Sequence, residues 1–214
     1  YGLQFEVNEN TLIPRPETEE LVEWIIESQK SKVKSQKFEI LDIGTGTGCI
    51  PISLKANLPH VNVSAIDVSE KALEVARRNA VSNKVEINFI QTNILEVEDL
   101  SQLQTPNFQL PTSFDIIVSN PPYVRNLEKQ EIKKNVLDYE PHLALFVEDT
   151  DALLFYRKIA QLALKNLAPN GLLFFEINQY LGKETVELLE NLGFKNIELK
   201  KDIYGNDRMV KSTR

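Results

Sequence analysis

One short segment restricts the fold of this chain more than any other: residues 38–48 read as a buried strand that runs straight into a glycine-rich turn. Residues 38–43 are mostly apolar, the turn reads Gly-Thr-Gly-Thr-Gly, and residues 49–54 begin a helical pattern. A strand, a glycine turn and a helix together form the nucleotide-binding half of a doubly wound sheet. The dinucleotide fingerprint needs a glycine where this chain has Cys49, and no Walker lysine follows. The segment therefore predicts an α/β fold and disfavours NAD and nucleoside triphosphates as ligands.

The following segments continue the alternation of strands and helices. Residues 61–66 read as a second strand that ends at Asp67, 23 positions after Gly44 and close to the roughly 20 expected for a carboxylate that binds ribose hydroxyls. Residues 86–91 read as a third strand, followed by Asn93. Ser69 reads as a helix N-cap, and helices are predicted over 151–167 and 184–192. Strands are predicted over 114–119 and 172–177, with an antiparallel pair over 196–201 and 208–211. A polar loop over 96–112 and a turn over 169–171 connect these elements. This order predicts a Rossmann-like, mostly parallel sheet with helices on both faces.

The tetrapeptide Asn120-Pro121-Pro122-Tyr123 directly follows the fourth predicted strand. Its prolines fix φ and donate no hydrogen bonds, so they end the strand and hold a rigid bend with free backbone carbonyls. We expect the Asn120 side-chain oxygen and the Pro121 carbonyl to accept both hydrogens of a substrate NH₂ group, with Tyr123 packed on its flat face. The tetrapeptide therefore predicts a site for a planar amino or amide group.

The predicted ligand-binding segments follow the ends of successive strands. These segments are residues 44–48, Asp67, Asn93 and Asn120. In an open α/β sheet, ligands bind beyond the carboxyl ends of the strands, at the point where the strand order reverses. We therefore expect the four segments to converge on one crevice.

The 214-residue chain divides, by sequence, into an N-terminal part of residues 1–37 and one α/β domain of residues 38–214. The first part reads as a small hairpin that turns near residues 8–10, a helix with Pro16 at its first position, and a lysine-rich linker over residues 30–37. This division predicts that the chemistry lies in the second part.

Charge and composition exclude several classes of function. The net charge of −7 disfavours binding dominated by nucleic acid phosphates, so we expect no direct nucleic acid partner. No stretch of 18 apolar residues occurs, and we expect no membrane span. Cys49 is the only cysteine, which fits a reducing compartment such as the cytoplasm, and it reads as a small packed residue. His142 lacks partners at metal-ligand spacing, so no metal site is expected.

Taken together, these motifs resemble class I S-adenosylmethionine-dependent methyltransferases, and more narrowly the HemK/PrmC family of protein-(glutamine-N5) methyltransferases. The resemblance extends from Leu12 to the C-terminus. Its motifs are residues 13–19 (Ile-Pro-Arg-Pro-Glu-Thr-Glu), residues 41–48, residues 118–123, Glu140-Pro141 with Ala144-Leu145, and Asp202 with residues 204–208. The segment at residues 13–19 separates this family from nucleic acid amino-methyltransferases, which share only the Asn/Asp-Pro-Pro-Tyr element.

The resemblance implies a seven-stranded sheet with a C-terminal antiparallel strand pair, S-adenosyl-L-methionine as cofactor, and class 1 peptide chain release factors as substrates. It implies methylation of the glutamine side-chain nitrogen in their Gly-Gly-Gln motif. The residues carried over as catalytic or substrate-binding are Asn120, Pro121, Pro122 and Tyr123. Those carried over as cofactor-binding are Gly44, Thr45, Gly46, Thr47, Gly48, Asp67, Asn93 and Asn120.

Two departures from the family pattern matter. The family usually carries an N-terminal helical domain that docks the release factor, so this chain resembles the catalytic domain alone. The third strand commonly ends in Asp, whereas this chain has Asn93, which puts its contact with the adenine amino group in doubt.

Some alternatives stay open at this point. The runner-up activity is N6-adenine methylation of DNA or RNA, in which Asn120–Tyr123 would hold a flipped base; a third reading is a non-catalytic adaptor. Arg15 and Thr18 either close over the cofactor or merely start a helix. Glu176 either braces the Asn-Pro-Pro-Tyr loop or is an ordinary polar strand end.

Overall fold

A computed structural model of the chain describes residues 1–29, 38–106, 108–131, 136–137 and 140–214. The described residues form one seven-stranded sheet with the strands β1 (Phe38–Ile43), β2 (Val61–Asp67), β3 (Asn88–Gln91), β4 (Phe114–Ser119), β5 (Leu167–Glu176), β6 (Lys195–Lys201) and β7 (Asp207–Thr213). The α-helices in the same ranges are α1 (Pro16–Gln29), α2 (Cys49–Asn57), α3 (Glu70–Ser82), α4 (His142–Leu145), α5 (Leu154–Asn166) and α6 (Gly182–Leu192).

The strands lie in the order β3-β2-β1-β4-β5-β7-β6. Strands β1 to β5 are parallel, whereas β7 runs antiparallel to both β5 and β6. This arrangement confirms the predicted Rossmann-like sheet and its C-terminal antiparallel pair. The order reverses between β1 and β4, so a crevice is expected beyond the carboxyl ends of these two strands.

Two apolar cores cover the two faces of the sheet. Neighbouring residues of β1 point to opposite faces, so Ile40 packs into one core and Leu41 into the other. Helices α1 and α2 cover the first face through Leu21, Ile25, Ile50 and Leu54, and α5 and α6 cover the second through Tyr156, Ile159, Ala163 and Leu189. Because both faces are covered, the central strands read as continuous apolar runs.

The N-terminal hairpin predicted from the sequence is wrong, because residues 1–15 contain no strand. A turn does form, with the Thr11 N–H donating to the Asn8 carbonyl at 3.1 Å. The extended segment finds its partners on α3 instead: the Glu6 N–H donates to Asn79 Oδ1 at 2.7 Å, and Asn79 Nδ2 donates back to the Glu6 carbonyl at 3.0 Å. The Asn79 side chain thus makes the hydrogen bonds with the Glu6 backbone that a second strand was expected to make. The predicted linker over 30–37 lies outside the described residues, and the division at residue 37 stays a prediction.

Several element boundaries differ from those predicted. The turn predicted over 169–171, before a strand at 172, is wrong: these residues lie inside β5, where Asn170 adopts a left-handed φ of 62° and the pairing with β4 shifts register. The predicted helix at 151 begins instead at Leu154, after a 3-10 turn. The predicted polar loop over 96–112 contains a small strand pair, Gln104–Thr105 with Phe108–Gln109. In the described ranges, no helix is both long and apolar enough to cross a membrane.

Candidate active site

The glycine turn is hydrogen-bonded to both β2 and α3. Gly44 and Thr45 each donate a backbone N–H to the Ile66 carbonyl, at 2.8 and 3.0 Å, so the turn is tied to the end of β2. Asn79 of α3 donates to the Thr47 carbonyl at 2.9 Å. Gly48 ends the turn with φ of 80°, a left-handed conformation that favours glycine. Hydrogen bonds from the protein itself therefore hold the turn in its conformation.

Asp67 lies at the end of β2 and binds the turn across the crevice. Its Oδ2 accepts the Gly46 N–H at 2.8 Å, and its Oδ1 accepts the Ser69 N–H at 2.9 Å. Burial raises the pKa of Asp67, and the backbone N–H groups of Ser69, Gly46 and Val68 partly oppose this effect. Each carboxylate oxygen has a second lone pair, so Asp67 can still accept hydrogen bonds from ligand hydroxyls. Ser69 is the N-cap of α3, as predicted, and accepts the Ala72 N–H.

A cavity of about 320 Å³ opens beyond the carboxyl ends of β1, β2 and β4. Its lining includes most of the predicted site residues: Gly44, Thr45, Gly46, Thr47, Asp67, Asn93, Asn120, Pro121 and Pro122. Two predicted residues are not among those lining it. Gly48 instead packs under the turn, where an added Cβ would lie 2.9 Å from Ile52 and 3.2 Å from Ala76. Tyr123 is half-buried beside the cavity and packs against the core.

The N-terminal segment and the α4 region complete the cavity wall. Residues 10–15 line the cavity together with Pro141, Leu143 and Ala144. Arg15 Nη2 binds Glu140 Oε1 at 2.5 Å, and the Ile13 N–H donates to Glu140 Oε2 at 3.3 Å. Of the two alternatives left open for Arg15, the structure therefore favours closure over the cavity.

A hydrogen-bonded chain connects the Asn-Pro-Pro-Tyr loop to α1 and β5. Asn120 Nδ2 donates to Thr18 Oγ1 at 3.3 Å, and the Thr18 hydroxyl donates to Glu176 Oε2 at 2.6 Å. The Tyr123 hydroxyl donates to the other carboxylate oxygen, Glu176 Oε1, at 3.1 Å. Glu176 therefore does brace the loop. In the sequence, Glu176 is visible only as a carboxylate at the end of an apolar strand. That position does not identify Thr18 and Tyr123 as its partners.

Asn93 lines the cavity, but its side chain also caps the 3-10 turn that follows β3. Its Oδ1 accepts the Leu95 N–H at 3.2 Å and its Nδ2 donates to Glu96 Oε1 at 2.8 Å. Asn93 Oδ1 keeps a second lone pair beside the Leu95 N–H, and its contact with an adenine amino group stays a prediction.

Two ionisable groups near the glycine turn, Cys49 and Asp42, have raised pKa values. Burial raises the pKa of the Cys49 thiol to about 12, so the thiolate is not populated near neutral pH. Burial raises the pKa of Asp42 to about 7, against the influence of the Thr45 hydroxyl and with a contribution from Asp67. The sequence analysis includes Asp42 in the motif of residues 41–48 but gives it no role of its own, because its position inside an apolar strand does not indicate one. No group of three or more metal-ligating side chains is arranged to hold an ion in the described ranges.

The cavity suits the S-adenosylmethionine that the sequence resemblance implies. An added Cβ at Gly46 would meet no atom within 4 Å, so the backbone here is open to a closely approaching ligand. Asp67 offers free lone pairs for ribose hydroxyls, and Ile94 and Leu95 offer apolar surface for a planar base. These hydrogen-bond acceptors and apolar surfaces fit a nucleoside with a ribose.

Comparison with known proteins agrees with this geometry. Residues 25–142 match the family model of the methyltransferase small domain. A release factor glutamine methyltransferase of Flavobacterium psychrophilum is 68% identical over 99% of this chain and 70% of its own length. The corresponding protein of Bacteroides thetaiotaomicron is 44% identical over 100% of this chain and 72% of its own length.

Solved structures share the fold at low sequence identity. A methyltransferase from Pyrococcus furiosus has a TM-score of 0.64 and 19% identity, covering 100% of this chain and 89% of that one. The hMettl16 catalytic domain in complex with an RNA hairpin has a TM-score of 0.70 and 18% identity, covering 99% of this chain and 75% of that one. The curated relatives, much closer in sequence, decide the family. The chain belongs to the family of release factor glutamine methyltransferases.

Proposed function

We propose that this protein transfers a methyl group from S-adenosyl-L-methionine to the side-chain amide nitrogen of the glutamine in the Gly-Gly-Gln motif of class 1 peptide chain release factors. The observation that carries this proposal is that Asn120, Pro121 and Pro122 line the same cavity as the glycine turn and Asp67. An acceptor site for an amide and a site for a nucleoside thus share one space. A cytoplasmic location, which the lone cysteine favours, belongs to the same proposal.

The cofactor would be held by the glycine turn and by Asp67, with Asn93 and Asn120 at the edges of the same cavity. When bound, S-adenosylmethionine supplies a methyl group activated by a positively charged sulfur. The N–H groups that fix the turn are already paired with Ile66 and Asp67, so little ordering remains to be done on binding.

The residues after β4 would orient the substrate amide. An amide nitrogen is a poor nucleophile because its lone pair is delocalised, so orientation is the main contribution the protein can make. The Asn120 Oδ1 atom and the Pro121 carbonyl would accept the two amide hydrogens, directing the nitrogen toward the methyl group and stabilising the charge that develops on it. A methylated amide nitrogen loses its proton readily, so no strong base is needed.

Pro122 and Tyr123 have different parts in this proposal. Pro122 lines the cavity and would pack against the substrate. Tyr123 gives its hydroxyl to Glu176, so its ring is held in one place. We therefore assign Tyr123 to shaping the loop, with contact to the amide plane still to be tested.

Adenine N6-methylation is the second candidate, and the net charge of −7 opposes it. The hMettl16 catalytic domain is bound to a hairpin in its structure, but that protein is only 18% identical to this chain, so the two share only the fold. The named relatives favour the glutamine substrate.

The test is transfer of radiolabelled methyl from S-adenosylmethionine to purified release factor, to its Gln→Ala tip variant and to duplex DNA in parallel. We expect label on the wild-type factor only. The Asn120→Ala protein should lose at least about 10²-fold in kcat at unchanged cofactor Kd, the scale of losing one preorganised polar contact. Label on DNA and none on the factor would overturn the proposal.

A further inference from the structure

Glu176 and Thr18 lie outside the predicted catalytic set, yet both are connected to Asn120. Glu176, at the carboxyl end of β5, is 1% exposed, and Thr18, in the first turn of α1, is 5% exposed. We propose that Glu176, acting through the Thr18 hydroxyl, fixes which end of the Asn120 amide faces the substrate. The inference rests on the proposed glutamine methylation and makes Glu176 and Thr18 positioning residues for it.

The number of donor hydrogens shared by Glu176, Thr18 and Asn120 determines the orientation of the Asn120 side-chain amide. An ionised carboxylate only accepts hydrogen bonds, and a threonine hydroxyl has one hydrogen to give. That hydrogen goes to Glu176 Oε2 at 2.6 Å, so Thr18 Oγ1 can act toward Asn120 only as an acceptor. Only the Nδ2 end of Asn120 can satisfy it, at 3.3 Å. The Oδ1 end is therefore the branch that remains for a substrate N–H.

Burial makes this directionality strict. Water has little access to Glu176 or Thr18, so a reversed Asn120 would leave two acceptors facing each other without a proton. An unsatisfied buried polar group costs about 1 to 3 kcal/mol. The carboxylate is also held at its other oxygen, because Glu176 Oε1 accepts the Tyr123 hydroxyl at 3.1 Å. The acceptor loop and the carboxylate thus keep each other in place.

The same directionality depends on Glu176 being ionised. Burial raises its pKa, the hydrogen bonds from Thr18 and Tyr123 and the charge of Arg208 lower it, and Glu17 raises it further. A proton on Glu176 would convert an acceptor into a donor and release the Thr18 hydrogen toward Asn120. The titratable and charged groups that face Glu176 from the neighbouring elements are Glu17 (α1), Cys49 (α2), Tyr123 (after β4), Tyr156 (α5) and Arg208 (β7).

The decisive variant is Glu176→Gln, which keeps the shape but can donate a hydrogen. The substituted amide has only one oxygen, and this oxygen faces Tyr123 if the Tyr123 hydroxyl keeps donating. The NH₂ end then donates to Thr18 Oγ1, which frees the Thr18 hydroxyl to donate to Asn120 Oδ1 and turns the Asn120 NH₂ toward the substrate NH₂. We expect a loss of 10- to 10²-fold in kcat, a cofactor Kd within about threefold of wild type, and loss of the acidic limb of the kcat–pH profile that Glu176 ionisation produces.

Two variants of Thr18 provide matched controls. Thr18→Ser keeps the hydroxyl and should retain kcat within about threefold, whereas the nearly isosteric Thr18→Val removes it and should lose about as much as Glu176→Gln. Equal losses in the serine and valine variants, or wild-type kcat in Glu176→Gln, would overturn the inference.

An NMR measurement separates this inference from the proposed function. The side-chain NH₂ resonances of Asn120, assigned by their loss in Asn120→Ala, should show nuclear Overhauser contacts to the Thr18 side chain. These contacts should be weakened or lost in Glu176→Gln. Absence of release factor methylation by the wild type would overturn the proposed function; unchanged Asn120 contacts in Glu176→Gln would overturn the orientation role whatever the substrate.

Discussion

Asp67 shows how one carboxylate can organise a site and still be available to a ligand. Its two oxygens bind the backbone of two segments, the glycine turn through Gly46 and the start of α3 through Ser69. Both contacts use hydrogen-bond donors that would otherwise be unpaired in a half-buried place, and they help keep the carboxylate charged. The residue that the sequence predicts as a ribose ligand therefore has a second, structural role that spacing alone does not reveal.

Replacing Asp67 with Ala should weaken cofactor binding by at least about tenfold, because the variant loses both the hydroxyl acceptor and the link that holds the turn. Isothermal titration with S-adenosylmethionine measures the change. Glu70→Ala is a suitable control, since Glu70 is an exposed carboxylate three residues away that pairs with Arg77 and is not among the cavity-lining residues. An unchanged Kd in Asp67→Ala would contradict the ribose role.

At the scale of elements, the glycine turn performs two different tasks with two glycines. Gly46 has φ of +55° and would have free space around an added Cβ, which places it on the ligand side of the turn. Gly48 has φ of +80° and lies between α2 and α3, where a Cβ would meet Ile52 and Ala76. One glycine thus permits a ligand to approach and the other permits two helices to pack.

Alanine at these two positions should separate the tasks. Gly46→Ala should cost about 1 to 2 kcal/mol in the free energy of unfolding, from left-handed strain alone, and should weaken cofactor binding. Gly48→Ala carries the same strain and adds overpacking worth about 1 to 3 kcal/mol. Denaturant unfolding measures both, and equal losses of stability in the two variants would contradict the assignment.

Local motifs could be predicted from the sequence, whereas contacts between distant residues could not. The strand-to-helix turn, the Asp67 position and the proline bend are local signals, and each lies in the predicted place at a strand end. Thr18 and Glu176 bind each other although they are 158 residues apart in sequence, so no local pattern could pair them. The predicted N-terminal hairpin was wrong for a related reason, because the pattern around residues 8–10 did not reveal that the Glu6 backbone would pair with the Asn79 side chain.

At the scale of the whole molecule, distant parts of the chain close the cavity. Arg15 and Glu140 are 125 residues apart and bind each other, and Glu140 also accepts the Ile13 N–H. The glycine turn lines the same cavity. The cavity wall therefore combines segments that are far apart in the sequence, so its shape depends on the tertiary fold.

Asp42 couples that stability to pH. The residue lies in the central strand β1, fully buried, and neither carboxylate oxygen has a partner with hydrogen-bond geometry in the described part of the chain. Burial raises its pKa from 3.8 to about 7, so between these values the unfolded chain is ionised at this position while the folded protein keeps the proton. The favourable contribution of Asp42 is then fully present below about pH 4 and is lost as pH rises through about 7.

Asp42→Asn, which stays neutral at all these pH values, should therefore gain stability relative to wild type as pH rises from 5 to 7. The gain should level off above about pH 7, at a few kcal/mol on the scale of about 1.4 kcal/mol per unit of pKa difference. Urea unfolding of the cofactor-free proteins at pH 5, 6, 7 and 8 measures the difference directly, and comparing the two proteins at each pH cancels the titration of every other group. A difference that stays constant across this range would mean that Asp42 is ionised in the folded protein, and the buried carboxylate would then need a cation or a donor to hold its charge.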